Sequence, residues 1–402
     1  MKGSNYHIST LIESYRFPIL LTIGLRIGLS AWVGLVWISI SRHIDLGFYW
    51  KDIAGPYSLI PFHHTLVGRF LVDAWIRFDA AHLLAIAKFG YLSLPPENLM
   101  YFPLFPWLTR QLSLVTFGEV TVAGLFLSTI SALIALILFY KLVMVITNDS
   151  GLARWTIAIW AVFPTSFFLF APYTDSLFMC FTFGCFLSLR SDKWFLASLL
   201  AGLACMTRAQ GVILLIPMTY LTVKSIFSRT LTGLGWKIIS IAVVFLFWAA
   251  FLLWRNLNGE AGLFSSYSNY SELTLADPIL AFRQSVTRLF TEGDLRILAD
   301  LLSVILFGSL FIKMVLTENY RKEFDLILYC FFTYLSFIVW QSDIVSPYQS
   351  ITRYVLSLFP LFIILANWVK NLPVLGQRIY LSISLMLMLL ASALYTLVIF
   401  VG

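Results

Sequence analysis

Apolar runs recur from one end of this chain to the other, and they dictate what it can fold into. Eleven stand out, at 17–41, 121–147, 155–172, 176–190, 195–207, 211–223, 238–256, 297–317, 325–342, 352–369 and 379–400. A helical run of about 18 apolar residues or more is long enough to cross about 30 Å of hydrocarbon. Several runs in the middle are shorter, and these are expected to be tilted, paired or incomplete spans. With 60% of its 402 residues hydrophobic and only 12% charged, the chain is not an ordinary soluble protein. The expected fold class is all-α: a polytopic transmembrane helical protein of about 11 spans, one continuous membrane domain over 1–402. No internal repeat and no low-complexity linker breaks it. No cleavable signal peptide is expected, because the first apolar run is too long and no small-residue cleavage site follows it.

Polar residues are sparse enough that each position means something. Cys180, Cys185, Cys205 and Cys330 all fall inside apolar runs and read as small core hydrophobes, not as disulfides or metal ligands. The net charge of +7 comes from scattered basic residues with no basic run, so nucleic acid is not an expected partner. Their placement is topological. With the N-terminus in the cytoplasm and the runs alternating, 14 of the 27 Lys and Arg residues fall on cytoplasmic ends, beside only 6 of the 20 acids. The positive-inside bias then gives N-in, C-out. Most carboxylates and both long loops, 42–120 and 257–296, share the opposite, non-cytoplasmic face. A chain that puts its polar residues on one face is built to work there.

The first outer loop holds the densest chemistry. His63 and His64 are adjacent and point apart on any regular element, so a metal site is weighed there against hydrogen-bonded or solvated histidines. From Phe78 to Gly90, Leu83, Leu84, Ile86, Ala87 and Phe89 suit a short helix lying along the membrane interface, stopped by Gly90. Asp79 and His82 are three apart and share a face of it. Asp79 reads as an N-cap, as a general base, or as both. The run Tyr101-Phe102-Pro103-Leu104-Phe105-Pro106 is expected to bend into a further short helix.

Three later polar interruptions return to the same face: Phe163 to Ser176, which holds Asp175; Thr207-Arg208-Ala209-Gln210-Gly211; and Asp343 to Tyr354, which holds Arg353. Arg208 lies between two apolar segments, and a guanidinium there must snorkel, pair with an acid such as Asp175, or bind an anion. Arg353, nearer water, fits an interfacial anchor as well as a ligand role. Carboxylates deprotonate hydroxyls or bind sugar hydroxyls, and arginine forks match phosphate oxygens. A lipid-linked sugar phosphate calls for both.

These runs resemble the GPI mannosyltransferase 2 (PIG-V) family. Arg77-Phe78-Asp79, Gly90-Tyr91 and Phe102-Pro103-Leu104-Phe105-Pro106 are similar to its Arg-Trp-Asp, Gly-Tyr and Phe-Pro-Leu-Phe-Pro. Tyr173-Thr174-Asp175-Ser176-Leu177-Phe178 resembles its Tyr-Thr-Glu-Ser-Leu-Phe, and Arg208-Ala209-Gln210-Gly211 its Arg-Ser-Asn-Gly. The likeness runs in order from about residue 15 to 223, and more loosely to Arg353-Tyr354. It implies a GT-C-type integral membrane glycosyltransferase that moves mannose, with inversion, from a polyprenyl-phosphate donor to a lipid- or glycan-linked acceptor hydroxyl.

In that reading Asp79 is the catalytic base. His82, Asp175, Arg208, Gln210 and Arg353 bind substrate. The partners are the donor, the acceptor and membrane lipids. No cofactor is required and no metal ligand set is expected, although a divalent metal is compatible. The implied location is the plasma membrane of a bacterium, which the compact cytoplasmic loops suit, or the endoplasmic reticulum of a eukaryote. Phe78, Asp175 and Ala209-Gln210 depart from the family pattern, and for a bacterial relative a GPI acceptor is the wrong expectation. A transporter or lipid flippase is the competing class, and a non-catalytic assembly subunit a third. Transporters commonly carry repeats and midplane polar groups in both halves, which this chain lacks.

Overall fold

A computed structural model describes residues 2–40, 59–60, 63–229, 232–258, 273–275, 277–342, 346–348 and 350–399. The expectations placed on Asp343 and on 42–58 lie outside these. Helix accounts for nearly all of the described fold. The exception to the all-α expectation is a ribbon of two three-residue strands, β1 (Leu273–Leu275) and β2 (Trp340–Ser342), paired antiparallel.

Every apolar run contains a helix, but fewer are full-length spans than the eleven counted from sequence. Among the described residues six helices are long and apolar enough to cross a membrane, or seven if one bent pair is a single span. The shortfall has local causes. Pro164 and Pro172 split the 155–172 run, leaving a 12-residue helix, α6 (Ser150–Ala161), followed by a buried turn of 3-10 helix at Ser166–Leu169. In the 352–369 run the pieces Ile351–Ser357 and Phe359–Lys370 meet at 89°, with Pro360 opening the second.

The long helices run alternately between two ends of the bundle. Helix α1 (Lys2–Ile40) rises to the end that holds α2 (Leu66–Leu71), α3 (Asp79–Phe89) and α4 (Leu104–Ser113). From there α5 (Val120–Thr147), 28 residues and so about 42 Å long, descends to the far end. Asn148 closes it in the left-handed conformation (φ 52°), which Asn tolerates. The Asp149 side chain then caps α6 by accepting from Leu152 N–H at 2.9 Å. Helix α7 (Asp175–Arg190) descends beside α5, α8 (Trp194–Cys205) climbs back, and α9 (Leu215–Phe227) and α10 (Leu234–Leu257) repeat the excursion.

Ion pairs tie the far end together. Arg190 binds Glu323 at 2.6 Å and Asp325 at 2.8 Å, and Lys370 binds Asp149 at 2.6 Å. The near end collects the residues of the candidate site.

Candidate active site

Asp79 opens α3, and its position depends on a strained backbone just before it. Phe78 has φ 50°, where a bulky side chain is uncommon, and only surroundings that over-determine it hold it there. Arg77 supplies much of that. Its buried guanidinium donates to the carbonyls of Asp73 and Ile76, each at 2.7 Å, and of Thr396 at 2.8 Å, and lies 4.2 Å over the Trp37 ring. The Arg77 carbonyl accepts from Tyr173 at 3.0 Å and from Tyr395 at 3.3 Å.

Asp79 therefore occupies the first helical position and is not the N-cap; that is Phe78, with no capping side chain. Gly90 does end the helix, with φ 80°. Along α3, Ala80, Ala81, Leu83, Leu84, Ala85, Ile86 and Ala87 are all buried by protein. The same apolar residues would suit a lipid surface, but α4 and α5 pack against this helix.

Asp175 opens α7 at the end of the Phe163–Thr174 turn. That turn and the end of α6 before it are pinned to the bent pair, by Thr165 Oγ1 donating to Thr352 O at 2.6 Å and Trp160 Nε1 to Leu356 O at 3.0 Å. The pins deliver Arg353 over the rings of Tyr173 and Phe168, at 4.4 and 4.9 Å. Arg208 stands in extended backbone between α8 and the 3-10 turn Ala209–Leu214. Leu104 N–H donates to Met206 O at 3.1 Å, joining the Phe-Pro-Leu-Phe-Pro segment to the Arg208 loop.

These four side chains form one chain of charge. Arg353 donates from Nη1 to Asp79 Oδ2 at 3.0 Å, and from Nη2 and Nε to Asp175 Oδ2 at 2.7 and 3.1 Å. Arg208 Nη1 pairs with Asp175 Oδ1. Burial grades along it. The side chains of Asp175 and Arg353 are 3% and 6% exposed, Arg208 13% and Asp79 40%. An interior carboxylate with two guanidinium partners offsets its desolvation; alone it would not. Among the described residues Nε and Nη2 of Arg208 make no hydrogen bond, which leaves a donor edge unspent. Arg208 also lines a crevice, together with Asp175, Phe178, Gln210, Arg353 and Tyr354.

All six residues singled out from sequence lie here. Asp79, Asp175, Arg208 and Arg353 bond in series, Gln210 lines the crevice, and His82 is set one turn along α3. His82 and Asp79 do not bond directly; Tyr101 joins them, stacking on His82 with ring centroids 5.0 Å apart and donating to Asp79 Oδ1 at 3.3 Å. Tyr101 and Asn98 were not singled out, although Tyr101 heads the proline-rich motif. Of the His63–His64 pair, His63 is hydrogen-bonded to Asp73, through N–H at 2.9 Å and Nδ1 at 2.6 Å. Burial still pushes the Asp73 carboxyl up, against the His63 bonds that favour its charged form. Among the described residues no three His, Cys, Asp or Glu side chains are placed to hold a metal.

No protein-family model matches the chain, and no curated protein matches its sequence. Among solved structures it is similar to the crystal structure of ArnT from Cupriavidus metallidurans bound to undecaprenyl phosphate. The TM-score is 0.50 at 12% identity, over 89% of this chain and 77% of that one. At that identity the likeness speaks to the fold alone: an integral, multi-pass helical membrane protein folded like ArnT.

Proposed function

We propose that this chain is a glycosyltransferase that moves a sugar, mannose in the first instance, from a polyprenyl-phosphate donor to an acceptor hydroxyl at the non-cytoplasmic membrane face. The observation that carries the reading is the series Asp79–Arg353–Asp175–Arg208. It ends on one side in a half-exposed carboxylate and on the other in a guanidinium with unspent donors. Support for a polyprenyl phosphate as ligand comes from the undecaprenyl phosphate bound to ArnT. Support for mannose, and for a place near the PIG-V family, comes from the sequence motifs alone.

The chemistry follows from these groups. Asp79 takes the proton of the acceptor hydroxyl through a carboxylate lone pair not engaged by Arg353 or Tyr101. The hydroxyl oxygen forms a bond to the anomeric carbon from the face opposite the phosphate. The bond from that carbon to the phosphate oxygen breaks, its electron pair leaving with the polyprenyl phosphate, and the centre inverts. Arg208, backed by Arg353, matches the growing charge on the phosphate with fixed donors in a water-poor crevice. Asp175 is not a base here. Between two arginines, it holds both forks at a fixed separation.

The donor assignment is tested by incubating purified protein and membrane extract with undecaprenyl-phosphate mannose, and separately with undecaprenyl-phosphate glucose. Release of free undecaprenyl phosphate from the mannose donor, with a hexose added to an extract component, supports the reading. Faster turnover of the glucose donor overturns mannose. Counterflow of labelled donor without release favours transport.

A further inference from the structure

Asn98 is 3% exposed, and its amide nitrogen donates to the Pro95 carbonyl at 3.0 Å. A carbonyl oxygen only accepts, so this contact settles which end of the amide is nitrogen. The remaining end, Oδ1, is 3.0 Å from His82 Nδ1. An amide oxygen also only accepts, so Nδ1 must carry the proton. In the neutral imidazole Nε2 is then a bare lone pair. Among the described residues nothing donates to it.

The ring stacks on Tyr101, the residue that donates to Asp79. His82 also shares with Asp79 one face of α3. We infer that His82 Nε2 accepts a hydrogen bond from a hydroxyl of the sugar carried by the lipid phosphate, with Asn98 the positioning residue that sets its tautomer. This rests on the glycosyl-transfer reading. With the phosphate held by Arg208 and the anomeric carbon within reach of the hydroxyl bound at Asp79, the ring lies against the face that bears His82. An acceptor-only nitrogen there selects a hydroxyl and rejects a deoxy or O-methyl position.

The test uses the full chain in detergent, with ¹⁵N-labelled histidine and the variant His82→Phe. That variant keeps a ring on Tyr101 and loses both nitrogens, and its missing resonances assign His82. At alkaline pH the expected spectrum has Nδ1 protonated and Nε2 bare. The Nε2 signal moves on adding undecaprenyl-phosphate mannose and stays put with undecaprenyl phosphate alone. His82→Phe raises KM for the mannose donor about 10- to 100-fold and leaves the Kd for undecaprenyl phosphate within about twofold. In Asn98→Ala the bare-Nε2 signature gives way to a mixture of tautomers. A protonated Nε2 in the free protein, or an unchanged KM in His82→Phe, overturns the inference. An Nε2 shift in a protein that transfers nothing keeps it and removes the transfer reading.

Discussion

Asp79 and Asp175 accept from opposite edges of a single guanidinium, that of Arg353, at 3.0 Å on one side and at 2.7 and 3.1 Å on the other. One arginine thus fixes the half-exposed carboxylate relative to the buried one. The buried member is where stability is concentrated. Removing one partner of a buried pair leaves an uncompensated charge, at a cost of about 3–5 kcal/mol. Asp175→Ala strands two guanidinium groups and is expected to destabilise by that order. In a double-mutant cycle with Arg208→Ala the losses are less than additive. Additive losses in thermal unfolding would show that the pair is not coupled.

Arg208 has a different weight, because only one of its nitrogens serves the Asp175 pair. Charge-assisted hydrogen bonds contribute about 1.5–3 kcal/mol. Arg208→Ala is therefore expected to weaken undecaprenyl phosphate binding about 10- to 150-fold. Arg208→Lys, a point charge without the fork, recovers only part of that. Isothermal titration of detergent-solubilised protein measures it, and a change below about threefold in Arg208→Ala would move the phosphate elsewhere.

Gly211 keeps the Arg208 loop against α8. A Cβ there would lie 2.3 Å from the Cys205 nitrogen and 2.5 Å from the Ala204 carbonyl carbon, both backbone atoms with nowhere to go. Gly211→Ala is expected to cost about 1–3 kcal/mol and to displace Arg208 and Gln210, lowering both the midpoint of thermal unfolding and transfer. Wild-type behaviour in both would show that the loop tolerates the shift.

At the far end, the Lys370 bond, with the Leu152 N–H, holds the exposed Asp149 carboxyl below the usual carboxylate range. A depressed native value contributes stability that is present above the unfolded value. It is lost as pH falls through the folded one. Lys370→Met should therefore flatten the loss of stability on acidification from about pH 5 to about pH 2. Thermal unfolding across that window checks it, and parallel profiles would contradict it.

The span pattern was legible in the sequence because each apolar run has to be helical wherever water is absent. The polar residues were legible for the same reason: a carboxylate or guanidinium between apolar runs is costly unless it is partnered. Arg353 read equally well as an interfacial anchor, since sequence does not carry the 89° bend that turns it inward. The protein cover over α3 was not legible, because burial by protein and burial by lipid demand the same side chains. Asn98 and Tyr101 were passed over because neither is unusual in an aromatic loop; their role comes from contacts across the chain. That some of the shorter runs are incomplete spans was legible from their length; the places where they break were not, although Pro164, Pro172 and Pro360 stand there.

The central claim is that Asp79 takes the acceptor proton while contributing little to the fold. Its pair with Arg353 is half-exposed, so losing it should cost less than about 1 kcal/mol. The direct measurement is release of undecaprenyl phosphate from undecaprenyl-phosphate mannose by wild type and by Asp79→Asn, at matched protein with matched unfolding midpoints. Turnover lowered at least about 10²-fold in a normally folded variant is the expected result. Near-normal turnover by Asp79→Asn would contradict the account.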